Sequence, residues 1–599
     1  MSRIFAFINQ LKMKFLQLKF TRRYRKSFRF WESFYLALSK WESDKGSLQL
    51  RLTILIISFV FLFIIIAVRV IGLASHKNSA DFRNQMSVVK NTANKRKEII
   101  DRNGNLLAVN LATASLYANP KKIIDPSEAT TKLAKIIPTL DKAKLLKDLR
   151  SDRTFIWIKR DLTPNEQYAI HNLGIPGFYF EKEYKRVYTY GNLLSHTLGF
   201  VGRDDNGLAG VEKHFDKFLT NQDMSVEFAE KDKPLQLAID VRLQSIVSEE
   251  LDRSIKEFNA LGGVGIVADA RTGEVLALVN KPDFDPHHPS HASDVQLFNK
   301  ATLGAFEVGS VFKAITLAVG FDSGKVTLND VYDLNAKVKI ARFTVKDYHK
   351  KEGWRTVPEI FMYSSNIGTA QIVLEVGKKV FKSYLQRLGL FDQTRIELPE
   401  KATPLYPSEK RWSDLDTVTM SYGHCMSVSP LHVVQAILPI VNGGYFYPLT
   451  LVKKDKVEEQ ELNERVFKES TSFNMNKLFR LVVEKGTGKK AEVKGFLVGG
   501  KTGTANKAVL GKYSKTARLS SFISAFPMTD PKYVIFVMLD EPKGTKETFG
   551  YATAGFTAAP TTGRIVSRMA PLFGIKPLDE ESDYVKKILH INYKVDEEI

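Results

Sequence analysis

The apolar and polar positions of this chain fall into blocks of different period. Leu52 to Val68 is an uninterrupted run without a charged residue, and Val70–Ala74 continues it after a single arginine, Arg69. A helix needs about 20 apolar residues to cross a bilayer, with a lower limit of about 17. The pattern therefore predicts one transmembrane helix over 52–74, with Arg69 reaching the interface by its long stem. Residues 75–230 mix short strand-like and helix-like patterns. Further on, Val311–Val319 and Ile367–Leu374 read as apolar, buried helices, each entered from a short polar cluster. Phe496–Gly500 is a short apolar stretch ending in glycines, and Ser520–Ala525 and Tyr533–Leu539 read as two strands joined by Pro527-Met528-Thr529-Asp530-Pro531. Residues 453–466 are dense in charge and read as an exposed loop or edge. No repeat of 20–50 residues and no low-complexity linker interrupts these blocks.

Charge fixes the expected orientation. The chain has 599 residues and a net charge of +21. Residues 1–51 hold twelve Lys or Arg against Glu32, Glu42 and Asp44, so this short segment supplies nine of the excess positive charges. A basic flank stays on the cytoplasmic side, and the same cluster suits anionic lipid. Everything beyond residue 75 is then expected outside the cytoplasmic membrane, which argues against nucleic acid as the partner of the basic charge. The basic lead is too long for a signal peptide, and no small-residue cleavage site follows the apolar run. Cys425 is the single cysteine, so no intramolecular disulfide can form, and it reads as a small packed residue. No zinc-spaced Cys/His cluster, P-loop or dinucleotide fingerprint is evident, so no metal and no cofactor is expected.

Three short strings carry the chemistry: Ser310-Val311-Phe312-Lys313, Ser364-Ser365-Asn366 and Lys501-Thr502-Gly503. Each also occurs by chance. Ser87-Val88-Val89-Lys90 and Ser472-Phe473-Asn474 have the same spacings but lie in polar or mixed segments, whereas the three candidates border apolar runs. Together they describe a serine acyl-transfer site whose base is a lysine. Serine needs a base to take its proton, and positions three apart share a helix face, so Lys313 lies beside Ser310. An unperturbed lysine titrates at about 10.4. Burial and a second cation, Lys501, would favour its neutral form. Ser364 can relay a proton, and Asn366 can both donate to and accept from a substrate amide. Lys501, Thr502 and Thr504 offer a charge and hydroxyls for a substrate carboxylate, and Gly503 permits close backbone approach. The backbone N–H groups of Ser310 and Thr504 are candidates for an oxyanion hole. As bland alternatives, Ser310 could be a helix cap, Asn366 a turn residue and Lys501 a solvated surface lysine.

At this point the chain resembles the penicillin-binding proteins, beyond the three strings. Asp240–Gln244, Ala268–Ala277, Pro282–Pro286 and Asn299-Lys300-Ala301 are similar to segments of their transpeptidase domain. Arg96 with Ile99–Ala108, Arg186-Val187-Tyr188 and Gly207–Glu212 are similar to pedestal motifs of the class B, monofunctional group. Phe306–Ser310, Ser421-Tyr422-Gly423-His424 and Asp540–Thr545 look most like the cell-division (septal, FtsI-type) transpeptidases. Val308, Ala314, Lys97 and Cys425 depart from the usual residues, and none of these changes removes a catalytic group.

The resemblance implies an α+β fold: a serine β-lactamase-like transpeptidase domain with an antiparallel sheet and helices, an elongated pedestal and one N-terminal transmembrane helix. The expected bounds are a basic cytoplasmic tail (1–51), the span (52–74), the pedestal or dimerisation-type domain (75–230), the transpeptidase domain (231–575) and a C-terminal tail (576–599). The implied reaction is D,D-transpeptidation of peptidoglycan stem peptides ending in D-Ala-D-Ala, inhibited by β-lactams. The implied site residues are Ser310, Lys313, Ser364, Asn366 and Lys501, with Thr502, Gly503 and Thr504 binding substrate. The implied setting is the inner membrane of a septum, with a lipid II-polymerising glycosyltransferase and divisome membrane proteins as partners. An elongation-specific class B enzyme, a D,D-carboxypeptidase and a serine β-lactamase share the motifs. For the β-lactamase, Glu459-Gln460-Glu461-Leu462-Asn463 matches a deacylation pattern only superficially. A divisome scaffold with secondary catalysis is the non-enzymatic alternative.

Overall fold

The computed structural model describes residues 48–75, 96–221, 233–454, 464–509 and 512–594. The chain divides into two compact units at residues 92/93. The first contains one described helix, α1 (Leu48–Ser75), whose backbone is helical across the whole expected span of 52–74. Its described side chains, residues 56–69, are exposed, and all but Ser58 and Arg69 are apolar. Among the described residues no helix is long and apolar enough to cross a membrane. The basic tail before residue 48, the Ser87–Lys90 string and Glu459–Asn463 lie outside the described residues.

The second unit begins with a twisted sheet built on one long strand. β1 (Ile99–Ile100), β2 (Leu106–Ala118), β3 (Ile156–Leu162), β4 (Phe178–Tyr188) and β5 (Leu235–Gln236) form it. β2 pairs antiparallel with β4 from Ala108↔Tyr188 to Ala118↔Phe178. Its other edge is shared by β1 and β3. Three helices cover one end, each started by a polar cap: Asp125 before Pro126–Ile136, Asp141 before Lys142–Leu149, and a Thr163/Glu166 capping box before Pro164–His171. Leu116, Leu133, Leu145, Ile156 and Ile170 form the small core between them. At the other end Arg96, Arg186 and Glu212 meet away from solvent. Glu212 Oε2 accepts from Arg96 Nε at 2.6 Å and Oε1 from Arg186 Nε at 2.7 Å.

The larger layer is a five-stranded antiparallel sheet. It contains β6 (Gly262–Asp269), β7 (Val275–Lys281), β8 (Gly499–Val509), β9 (Lys512–Phe526) and β10 (Tyr533–Asp540), in the order β8-β9-β10-β6-β7. The two strands expected at 520–525 and 533–539 are therefore longer than their apolar cores and do extend the sheet that carries Lys501. Both faces are buried, so β10 reads as a continuous apolar run. Its side chains still alternate: Ile535, Val537 and Leu539 join one core, and Val534, Phe536 and Met538 the other.

The first core is closed by the helices Val241–Glu257 and Ala558–Leu572. The second holds Lys313–Asp322, Pro430–Val441 and Glu469–Glu484, with Val357–Tyr363 and Asn366–Val376 packed beside them. A helix buried on all sides must be apolar all round. Lys313–Asp322 obeys this apart from three groups, Lys313, Thr316 and Asp322, each hydrogen-bonded. The end of the chain also joins this core through the short helix Asp583–Leu589, which buries Val585 and Leu589.

Candidate active site

Ser310 stands in a single 3₁₀ turn, Gly309–Phe312, that runs directly into the buried helix Lys313–Asp322. Gly309 adopts φ +57°, and its N–H donates to Gly423 O at 3.1 Å. The neighbouring backbones leave no room for side chains here. A Cβ on Gly423 would lie 1.9 Å from Gly309 O, and one on Gly503 would lie 2.6 Å from Val308 O. The Ser310 turn is thus clamped between the Ser421–Cys425 loop and strand β8.

Ser364 ends the helix Val357–Tyr363, which starts from a Thr356/Glu359 capping box. Its backbone is left-handed, φ 63° and ψ 45°, a conformation that costs a non-glycine residue roughly 1 kcal/mol. The next residue turns the chain into a new helix: Ser365 caps Asn366–Val376, accepting from Gly368 N at 3.0 Å. Between two helices, the Ser364 side chain is aimed at two lysines. Its Oγ accepts from Lys501 Nζ at 2.9 Å and from Lys313 Nζ at 3.2 Å. Lys313 Nζ also donates to Ser364 O at 2.5 Å, and Lys501 Nζ to Thr502 O at 3.1 Å.

Both lysines are wholly buried. Burial pushes the Lys313 ammonium down to about 7, against a smaller opposing pull from Asp347. Burial and then repulsion from Lys313 hold Lys501 well below the ordinary lysine range. Two ammonium groups bridged by one neutral hydroxyl and buried away from solvent repel each other, so they do not both stay charged.

The structure brings Lys313, Ser364 and Lys501 into direct contact, with Ser310 on the adjoining turn, half-buried. The hydrogen bonds of Lys313 run to Ser364, not to Ser310. Thr502 is tied through its hydroxyl to Thr487 at 2.7 Å, and Thr504 Oγ1 accepts from Ala554 N at 3.2 Å. Asn366 is half-buried and donates its amide to Lys346 O at 2.8 Å. The look-alike Ser472 is a buried helix residue whose hydroxyl accepts from Gly443 N at 2.9 Å. Cys425 packs with its Sγ 3.3 Å from Asp416 Oδ1. Burial and that carboxylate push the thiol up to about 11, which leaves little thiolate for chemistry at neutral pH. Among the described residues no cluster of His, Cys, Asp or Glu is placed to hold a metal ion.

Two carboxylates support the site without any spacing that announces them. Asp347 sits at the start of Asn366–Val376, where it accepts from Ser365 Oγ at 2.7 Å, from Ile367 N at 3.0 Å and from Asn366 N. It thus combines a capping role with a charge at the positive end of the helix. Glu307, three residues before Ser310, accepts from His424 Nδ1 at 2.9 Å, Cys425 N at 2.8 Å and Tyr513 OH at 2.8 Å. These bonds outweigh burial and hold its carboxyl below the usual range. In the sequence Glu307 and His424 are members of family-like segments with no role attached to them. Asp347 carried no signal.

Such a serine held by two lysines between buried helices and an antiparallel sheet can be compared with known proteins. Residues 263–566 match the penicillin binding protein transpeptidase domain, and residues 91–233 the penicillin-binding protein dimerisation domain. A probable peptidoglycan D,D-transpeptidase FtsI of Caulobacter vibrioides is 38% identical over 491 residues, covering 80% of this chain and 82% of that protein. The peptidoglycan D,D-transpeptidase FtsI of Escherichia coli is 28% identical, covering 82% and 85%. Among solved structures, penicillin binding protein 3 of Mycobacterium tuberculosis, complexed with aztreonam, superposes with a TM-score of 0.64 at 24% identity, covering 81% of this chain and 97% of that one. On the match over half its length and the 38% relative, this chain belongs to the penicillin-binding protein transpeptidase family.

Proposed function

We propose that this chain is a peptidoglycan D,D-transpeptidase of the cell-division, FtsI type, working through a Ser310 acyl-enzyme. The observation that carries the reading is the single hydroxyl of Ser364 held between two buried lysines, one titrating near 7. In the neutral form Lys313 Nζ takes the proton as Ser310 Oγ attacks the penultimate D-Ala carbonyl carbon. The tetrahedral adduct collapses when the C–N bond to the terminal D-Ala breaks. The proton passes through the Ser364 hydroxyl to the departing nitrogen. An amine of a second stem peptide then attacks the ester carbonyl, the C–Oγ bond breaks, and Ser310 regains a proton that the amine gives up. Lys501, Thr502, Gly503 and Thr504 line the strand along which the donor terminus would lie, and Asn366 flanks it. A β-lactam offers the same carbonyl and leaves Ser310 acylated.

The reading extends to setting and partners. The uncharged run 52–68, continued to 74, and the twelve cations before it support a single-pass anchor with its N-terminus in the cytoplasm. Residues 75–230 would serve as the pedestal and 231–575 as the catalytic domain outside the membrane, with a basic tail at 1–51 and a C-terminal segment, 576–599, whose helix Asp583–Leu589 packs on the core. A lipid II-polymerising glycosyltransferase and divisome membrane proteins are the expected partners.

The test is to label the full chain, held in detergent, with a fluorescent penicillin beside Ser310→Ala. Stable labelling that vanishes in the variant is the expected result. Labelling that decays within seconds means a β-lactamase, and no labelling of folded protein overturns the catalytic reading.

A further inference from the structure

Residues 577–593 grip both of the elements whose contact makes the site. The first grip is on the side of the strand. Leu578 N donates to Gly495 O at 2.8 Å, and Glu580 Oε1 accepts from Gly495 N at 2.7 Å. Pro577 packs so closely here that a Cβ on Gly495 would lie 2.8 Å from the proline Cβ. Glu580 Oε2 accepts from Arg480 Nη2 at 3.1 Å, and Arg480 Nη1 donates to Glu492 Oε2 at 2.6 Å and to Val498 O at 3.0 Å. Arg480 is buried, and its planar fork holds these acceptors in fixed directions. Val498 leads directly into β8, three positions before Lys501.

The second grip is on the side of the helix. Thr356 Oγ1 donates to Tyr593 O at 2.8 Å. Thr356 is the cap of Val357–Tyr363, the helix that ends at Ser364. Between the two grips the short helix Asp583–Leu589 packs on Glu469–Glu484 and buries Val585 and Leu589. Glu469–Glu484, which carries Arg480, packs in turn on β8 and on Val357–Tyr363. Its Phe479 meets Phe361 edge-on at 5.7 Å, and the Phe361 ring lies 5.7 Å from Lys501 Nζ. Among the described residues Glu580 bonds Arg480 and Gly495 and neither of the two site lysines.

We propose that residues 577–593 are a strap that sets the contact between Ser364 and Lys501, with Glu580 as a positioning residue that acts through Arg480 on the start of β8. The strap's role rests on the acyl-transfer reading, and none of the three motifs lies in it. Slackening the strap lets the two amines separate and lets water reach them. Both changes relieve the burial and repulsion that disfavour the ammonium forms, so acylation needs a higher pH. Loss of a carboxylate's field alone favours the neutral amines and moves the profile the other way.

The test is Glu580→Gln in the full chain, held in detergent. Single-turnover labelling by a fluorescent penicillin, per folded molecule, is followed along the acid limb of its pH profile. The expected result is a rate lower by about 10–10²-fold, the scale of a small misplacement made far from the chemistry, together with a limb displaced to higher pH. An unchanged rate overturns the proposal. So does a slower rate with the limb in place or at lower pH, which means a general weakening of the fold or a field effect. If Glu580→Gln does not fold, Leu589→Ala, which slackens the strap without touching the ion pairs, is read in the same way. If the wild type is not labelled, the acyl-transfer reading fails instead, and hydrogen exchange decides the strap. Glu580→Gln should then quicken exchange at residues 357–364 and 499–504 together, and unchanged exchange there overturns the proposal.

Discussion

The hydroxyl of Ser364 accepts a hydrogen bond from Lys501 Nζ at 2.9 Å, although the two residues are 137 positions apart. That contact joins a helix end to the edge strand of the main sheet, and the same hydroxyl accepts from Lys313. Ser364→Ala removes the hydroxyl that both lysine amines share. Acylation by a fluorescent penicillin should slow by about 10²–10⁴-fold, the range of a positioned proton-transfer group. Single-turnover labelling checks this. A variant that labels at the wild-type rate would show that the proton takes another route.

The lysines also make a statement about pH. Lys313 has a folded value of about 7 against an ordinary 10.5. Acylation should therefore rise with pH through about 7 as the neutral amine appears. The sign for stability follows from proton counting. Between about 7 and 10.5 the unfolded chain holds a proton that the folded chain has released, so stability rises with pH across that window. Below about 7 both states are protonated and the full destabilisation remains. Lys313→Met should thus raise the melting temperature at pH 7 while abolishing penicillin labelling. A lower melting temperature would mean that the ammonium is better solvated than its burial implies.

Asp347 acts on the same limb. Its carboxylate favours the charged form of Lys313, so Asp347→Asn should move the acid limb of the acylation profile to lower pH. The same change weakens a helix cap, typically worth about 1 kcal/mol, and should lower the melting temperature modestly. A limb that stays in place would separate Asp347 from the titration and leave only its capping role.

Much of this was legible in the sequence, for reasons that can be named. The strand Tyr533–Asp540 is buried on both faces, so its apolar run shows through without regard to topology. Ser310, Lys313 and Lys501 declare themselves because few other uses join those side chains to apolar runs. Arg96, Arg186 and Glu212 were visible only as separate family-like segments, and their meeting is a property of the tertiary fold. The left-handed turn at Ser364 was not legible, because local preference opposes it and tertiary contacts impose it. Asp347 and the Glu307–His424–Tyr513 group were hidden for the same reason. Their partners are distant in the chain, and a carboxylate at an arbitrary position carries no signature of the helix end or loop it will meet. The membrane span was read from composition alone.

The tight junctions give a steric prediction. A methyl group on Gly423 would sit 1.9 Å from Gly309 O, backbone against backbone, so no side-chain shift can relieve it. Gly423 also has φ +90°, which an alanine adopts only with strain. Gly423→Ala should cost about 1–3 kcal/mol as an overpacking change. Because the displaced atoms belong to the Ser310 turn, the loss of penicillin labelling rate should exceed what the loss of folded protein explains. Comparing labelling per folded molecule, with folding followed by circular dichroism, separates the two effects.

The last prediction concerns the region that matches the dimerisation domain, residues 91–233. Glu212 is fully buried and takes one guanidinium on each carboxylate oxygen, Arg96 at 2.6 Å and Arg186 at 2.7 Å. Arg96 has further acceptors in Asp216 at 2.8 Å and two backbone carbonyls, whereas among the described residues Glu212 is the only carboxylate bonded to Arg186. Glu212→Gln keeps the shape and removes the charge, leaving Arg186 buried without a counter-ion. Removing one partner of a buried pair typically costs about 3–5 kcal/mol. The three segments it joins, around residues 96, 186 and 212, should therefore loosen together, and hydrogen exchange should quicken at all three. Replacing the triad by apolar residues of similar volume should recover much of the loss, because desolvation of the charges offsets most of their attraction. If Glu212→Gln left exchange at Arg96 and Arg186 unchanged, the network would be a consequence of this domain's fold and not one of its supports.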